Sequence, residues 1–139
     1  MKRMPQVLRY KKGYKYQLAD TILCATEILG YDINIGFIML KPDGTLILVK
    51  GFAWDGASGP AIDTDTFIKG SAAHDALYEL MRLGYLPVSF RAYADRLLKE
   101  ICLESGMWKT RANWVFWAVK NFAARQVESK SRRKIYEVE

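Results

Sequence analysis

The sequence predicts an α+β fold: an N-terminal antiparallel β-hairpin or sheet followed by three helices, the first two of them antiparallel. Three observations carry that reading. Two apolar runs, residues 36–41 and 45–50, flank Pro42-Asp43-Gly44, where proline presets φ and glycine accepts positive φ, so a hairpin closes there. Beyond residue 65 the apolar positions recur three and four apart, the period of an amphipathic helix. Gly84, Pro87 and Gly106 divide that helical half into three segments.

The elements follow in order. Residues 6–50 read mostly as strand. Residues 9–16 mix bases with tyrosines, as an exposed edge strand does, and that mixture also suits stacking against single-stranded nucleic acid. Residues 21–26 fit strand or helix by periodicity alone. A loop of small residues spans 54–65, where glycine and proline allow close backbone approach. Asp63, Thr64 and Asp65 offer N-caps for a helix from about Phe67 to Leu83, with Gly84 as its C′ residue. On it Gly70, His74 and Tyr78 share one face, while Asp75 points about 100° away from His74.

A second helix is expected between Ser89 and Gly106, burying Phe90, Ala94, Leu97, Leu98, Ile101 and Cys102, with Asp95 at the margin of that stripe. The short connection through Pro87 makes the two helices antiparallel neighbours. A third helix is expected from Thr110 to near Val127. Its centre, Trp114 to Val119, is apolar almost all round and must be covered by the core, by a partner such as a second copy meeting the Trp114–Phe122 helix, or by a membrane interface. Residues 1–127 thus read as one domain and 128–139 as a charged tail. Arg82 and Arg91 read as surface residues.

Composition narrows the classes. With 139 residues, half of them hydrophobic and 13% aromatic, the chain can bury one core and is not a disordered segment. Cys24 and Cys102 lie too far apart in sequence for zinc-type spacing and do not form a disulfide framework. The basic start lacks the apolar run of a signal peptide, and no stretch reaches the roughly 20 apolar residues of a membrane span. Cytoplasmic synthesis is the expectation. The net charge of +6 is uneven, with basic ends around an acidic middle, which suits anionic surfaces at the ends and a cation in the centre.

The chemistry concentrates on residues 51–78 and Asp95. His74, the only histidine, is a general base with an ordinary pKa close to neutrality. Its second nitrogen needs an orienting partner, and Asp95 on the facing helix is the candidate carboxylate. Tyr78, one turn after His74, can donate to the same carboxylate. Asp75 is then left for a hard cation, helped by carbonyls of the preceding loop, a donor mixture that calcium accepts. Such an ion would polarise a carbonyl or phosphoryl oxygen. The bland alternative is a polar cluster that pins a loop to two helices.

His74-Asp75-Ala76-Leu77-Tyr78, the loop of small residues before it and Ala94-Asp95 on the next helix resemble the secreted and parvoviral phospholipases A2. The resemblance covers about 45 residues. It implies carbonyl ligands from Trp54, Gly56 and Ser58 and a carboxylate from Asp75 for calcium. It also implies His74 as the base, Asp95 as its orienting partner and Tyr78 as the brace of Asp95. The chain departs from that pattern in lacking the disulfides of the secreted enzymes, in having Gly59-Pro60 where they have a longer glycine run, and in its strand-rich first third.

A wider pattern is similar to a family of small bacteriophage and prophage proteins: Phe52-x-x-Asp55-x-Ala57-Ser58-x-Pro60, then His74-Asp75-x-Leu77-Tyr78, then Ala94-Asp95. It implies a viral origin, in the host cytoplasm or the virion, and adds Asp55 to the site; it brings no activity. Two functions are therefore expected in competition. One is a calcium-dependent ester hydrolase acting on phospholipid. The other is a virion structural or assembly protein whose His-Asp cluster only supports the fold. Nucleic-acid binding through Lys2 to Lys15 ranks below both.

Overall fold

Seven short strands and three helices make up the computed structural model, which describes residues 3–12, 16–56, 64–122 and 138. The predicted α+β order holds. The strand half forms two antiparallel sheets. One joins β1 (Tyr10–Lys11), β2 (Tyr16–Leu18) and β7 (Ala53–Trp54) in that order. The other runs β3-β6-β5-β4, from β3 (Ile22–Ala25), β4 (Ile33–Asn34), β5 (Ile38–Leu40) and β6 (Thr45–Leu48).

The expected hairpin joins β5 to β6, with Leu40 opposite Leu46. Asp43 accepts the Thr45 N–H at 2.9 Å, and Gly44 takes φ +92°. A Cβ on Gly44 would lie 2.3 Å from the Thr26 carbonyl oxygen, so the turn seats on β3's end only because that position is bare. The ambiguous segment 21–26 contains β3. Pairing with β6 settles the period at two: Ile22 and Cys24 are buried, Leu23 and Ala25 exposed.

Tyr10 and Tyr16 pack on each other and on Trp54 at centroid distances of 5.6 to 6.4 Å, so these two rings form an aromatic cluster at the first sheet. Arg9 pairs with Asp20, and Arg3 with Glu27, Glu100 and Glu104. Arg3 thereby fastens the N-terminal segment to both β3 and the second helix. Part of the basic N-terminal charge expected to meet nucleic acid is spent inside the molecule.

Helix α1 (Asp65–Arg82) starts two residues earlier than the apolar pattern suggested, because Thr64 takes the extended N-cap conformation and Asp65 suits the positive end of the helix dipole. Asp63 lies outside the described residues. At the other end Tyr85 N–H bonds the Leu80 carbonyl at 2.9 Å and Gly84 N–H that of Met81 at 3.1 Å, a Schellman stop on a glycine at φ +84°. A 3-10 turn, Val88–Phe90, leads into α2 (Arg91–Glu104), so Phe90 precedes the helix rather than opening its buried stripe. Gly106 ends α2 in the same way as Gly84 ends α1.

α1 and α2 pack antiparallel. Gly70 faces Leu98 and Cys102, His74 faces Asp95, and Tyr78 faces Asp95 and Arg91. A Cβ on Gly70 would stand 2.7 Å from Leu98 Cδ1 and 3.1 Å from the Leu98 carbonyl oxygen, so the helices touch where the side chain is missing.

α3 (Lys109–Phe122) covers α2 with Ala112, Val115, Ala118 and Val119 buried, while Trp114 and Trp117 stay outside. Among the described residues, α2 covers only one side of the apolar girdle of α3. The residues expected to extend this helix to Val127, and the tail from 128 to 137, lie outside the described part. Cys24 and Cys102 are free and buried, and burial pushes both thiols up to about 12.

Trp54 ties the first sheet to α1: its Nε1–H donates to Ser71 Oγ at 2.9 Å, and the Ser71 hydroxyl donates in turn to the Ile68 carbonyl at 2.8 Å. Trp54→Phe is expected to cost about 1 kcal/mol, the net value of one buried hydrogen bond, in a denaturant titration.

Candidate functional site

The site grows from the contact between α1 and α2. Residues four apart on a helix stack on one face, so α1 lines up Gly70, His74 and Tyr78 against α2. The same spacing on α2 aligns Arg91 with Asp95. Asp95 accepts two hydrogen bonds on one oxygen, Oδ1: from His74 Nε2 at 2.8 Å and from the Tyr78 hydroxyl at 2.6 Å. An ionised carboxylate can only accept, so Nε2 carries the imidazole proton. The tautomer follows: in the neutral ring the lone pair sits on Nδ1. The Tyr78 ring also lies against the imidazole, 4.1 Å between centroids.

All three groups are buried. His74 is 4% exposed and Asp95 1%. Asp95 was expected at the edge of its helix's apolar stripe; it stands inside the core, and its two donors are what make that burial tolerable. Burial and the hydrogen bond to Asp95 both raise the Tyr78 hydroxyl far above its ordinary range, so it stays a donor.

Asp75 stands at the other side of the imidazole, with Oδ1 3.7 Å from Nδ1. That gap is too long for a direct hydrogen bond. Its side chain is 22% exposed, against 2% for that of Asp95. The Gly56 N–H faces the Asp75 carboxylate, which sets the end of β7 beside α1. Burial raises the Asp75 carboxyl above its ordinary value and the charge of Asp55 adds to this, while His74 and the Gly56 N–H oppose it. For His74, burial alone would lower the pKa, but the nearby Asp75 carboxylate and the hydrogen-bonded Asp95 outweigh it and the value is raised.

Oxygen donors are what a hard cation requires, and Asp75 and Asp55 stand close enough for their charges to repel. A cation between them would relieve that repulsion, so the donors fit calcium in kind. Among the described residues no three His, Cys, Asp or Glu side chains gather as ligands, so carbonyls and water would have to complete the shell. Ser58 lies outside the described residues. Trp54 has its backbone in the β2–β7 pair, opposite Tyr16, and its side chain in the core.

The structure thus brings His74, Tyr78 and Asp95 into one cluster and sets Asp75, Asp55 and Gly56 beside it. One participant was read differently from the sequence. Arg91, expected on the surface, makes an exposed bond through Nη1 to the Lys120 carbonyl at 3.2 Å, and its charge also acts on the Tyr78 hydroxyl. Its position four residues before Asp95, on the same face, was the available signal. A groove of about 430 Å³ beside Asp65 and Lys69 lies on the opposite side of α1 from His74 and is not part of this site.

No family model, curated protein or solved structure matches this chain. No helix among the described residues is long and apolar enough to cross a membrane.

Proposed function

We propose that the protein is a hydrolase of carboxylic esters, phospholipids foremost, with His74 as general base, Asp95 as its orienting carboxylate and Tyr78 as the brace of Asp95. The observation that carries this reading is the asymmetry of the imidazole. Nε2 is committed to a buried carboxylate, while Nδ1 faces Asp75, the more exposed of the two carboxylates that flank the ring. That is the arrangement a base needs.

Water at Nδ1 gives its proton to that nitrogen as its oxygen attacks the ester carbonyl carbon. Asp95 stabilises the resulting imidazolium through Nε2–H. The proton on Nδ1 then passes to the departing alkoxide as the acyl carbon–oxygen bond breaks, leaving acid and alcohol. Asp75 and Asp55, with the Gly56 carbonyl, would hold calcium, which when bound would supply positive charge to the oxyanion; the Trp54 carbonyl, expected as a further ligand, belongs instead to the β2–β7 pair. The test is hydrolysis of phosphatidylglycerol and of a soluble ester, in calcium and in chelator, by the wild type and by His74→Gln. Turnover in calcium that His74→Gln lowers by about 10³-fold or more supports the reading; equal turnover by both proteins overturns it.

His74, as the sole histidine, gives one set of ring signals in NMR. In metal-free protein its pKa is expected above the ordinary 6.5, and to fall in Asp75→Asn. Calcium should lower it as well, because a cation seated on Asp75 cancels the support that carboxylate gives the imidazolium. An unchanged titration on adding calcium would remove the metal from the mechanism. Because the folded value is raised, the stability contributed by this charge is fully present below the unfolded histidine value and is lost as pH rises through the folded one.

The deep burial of His74, Asp95 and Tyr78 favours a second reading, a bacteriophage assembly or virion protein in which the cluster only locks α1 to α2. Viral origin itself rests on the Asp-x-Ala-Ser-x-Pro and His-Asp-x-Leu-Tyr patterns. Finding the chain in fixed ratio in purified virions, with no hydrolysis under any condition above, would favour this reading.

A further inference from the structure

The chain has four tryptophans, and they divide sharply. Trp54 is buried with its indole N–H bonded to Ser71. The other three stand together in sequence, at the entrance to α3 and on it, and are exposed: Trp108 by 82%, Trp114 by 40% and Trp117 by 52%. Trp114 and Trp117 are three apart and share the outward face, opposite the buried Ala112, Val115 and Val119. Three large aromatic rings held out of the core in one short segment mark an interaction surface.

Its charge indicates what it meets. α3 carries Lys109, Arg111 and Lys120 and no acidic residue, and Lys109 and Lys120 are exposed, about 80° and about 60° round the helix from Trp117. We propose that this face, Trp108, Trp114 and Trp117 with Lys109 and Lys120, docks on an anionic lipid bilayer with α3 lying in the interface plane. Indole is suited to that boundary, since its ring is apolar and its N–H stays wet. Lysine beside it adds attraction to acidic headgroups of about fivefold in affinity per base. A second copy of this chain would bring the same bases face to face, which disfavours self-association through this patch. Single-stranded nucleic acid is tracked by a groove, and the outward side of a helix is convex. The proposal does not depend on His74 or on hydrolysis.

The experiment is co-sedimentation of the full chain with sonicated vesicles, phosphatidylcholine alone against phosphatidylcholine with phosphatidylglycerol. It is read together with the blue shift of tryptophan emission. Wild type is expected to bind the anionic vesicles and shift its emission. The triple substitution Trp108→Ser, Trp114→Ser, Trp117→Ser and the pair Lys109→Glu, Lys120→Glu are each expected to lose about tenfold or more in affinity, with circular dichroism unchanged because every site is exposed. Binding equal in wild type and variants, no binding by wild type, or a patch-dependent association with itself or with an oligonucleotide in place of vesicles would overturn the proposal.

Discussion

Asp95→Ala is expected to destabilise the protein by about 3–5 kcal/mol, because it strands two buried donors at once. His74 Nε2 and the Tyr78 hydroxyl both end on Asp95 Oδ1, and no water can reach them easily where Asp95 stands. Asp95→Asn separates structure from chemistry. An amide oxygen can still accept from both donors, so the cost should drop to about 1–2 kcal/mol in denaturant. Hydrolysis should nevertheless fall by about 10³–10⁴-fold, since the imidazolium loses its counter-charge and its tautomer is no longer enforced. A hydrolase whose turnover survives Asp95→Asn would assign Asp95 to the fold alone. Equal destabilisation by Ala and Asn would show instead that charge, and not hydrogen bonding, holds the cluster.

The second large effect lies one turn away, at Gly70. Even a methyl group there would press on Leu98 Cδ1 at 2.7 Å and on the Leu98 carbonyl oxygen at 3.1 Å. The leucine side chain can give way, but the carbonyl belongs to α2's own ladder and cannot. Gly70→Ala is expected to cost about 1–2 kcal/mol, overpacking being partly offset by alanine's better helix propensity. Gly70→Val, with two further carbons, should cost about 3 kcal/mol or more. Both push α1 from α2 beside the His74–Asp95 hydrogen bond, so hydrolysis should fall further than stability does. Urea titration and turnover measured on the same preparations separate the two. If Gly70→Val matches wild type in both, the close approach of the helices has no role in the site.

Much of this arrangement was legible because it is local. The Pro42-Asp43-Gly44 turn, the stop at Gly84 and the Gly70–His74–Tyr78 face each follow from a few adjacent residues. The pairing of His74 with Asp95 was also within reach, since a short connection forces the two helices side by side. What escaped depends on contacts distant in the chain. The split of the strand half into two sheets is decided by β7 returning to β2. The burial of Asp95 depends on which side of α2 meets α1, and a charged residue on the edge of an apolar stripe reads as exposed until its donors are known. Arg91 read as a surface base, and its bond to the Lys120 carbonyl was hidden because that carbonyl comes from another helix.

The two cysteines make the molecule its own reporter. Cys24 sits in β3 and Cys102 in α2, and burial keeps both as inert thiols. An alkylating reagent can therefore capture either sulfur only after its surroundings open. Pulse labelling read by peptide mass would time the parting of the strands and of the helix pair separately, in one sample and without any added probe.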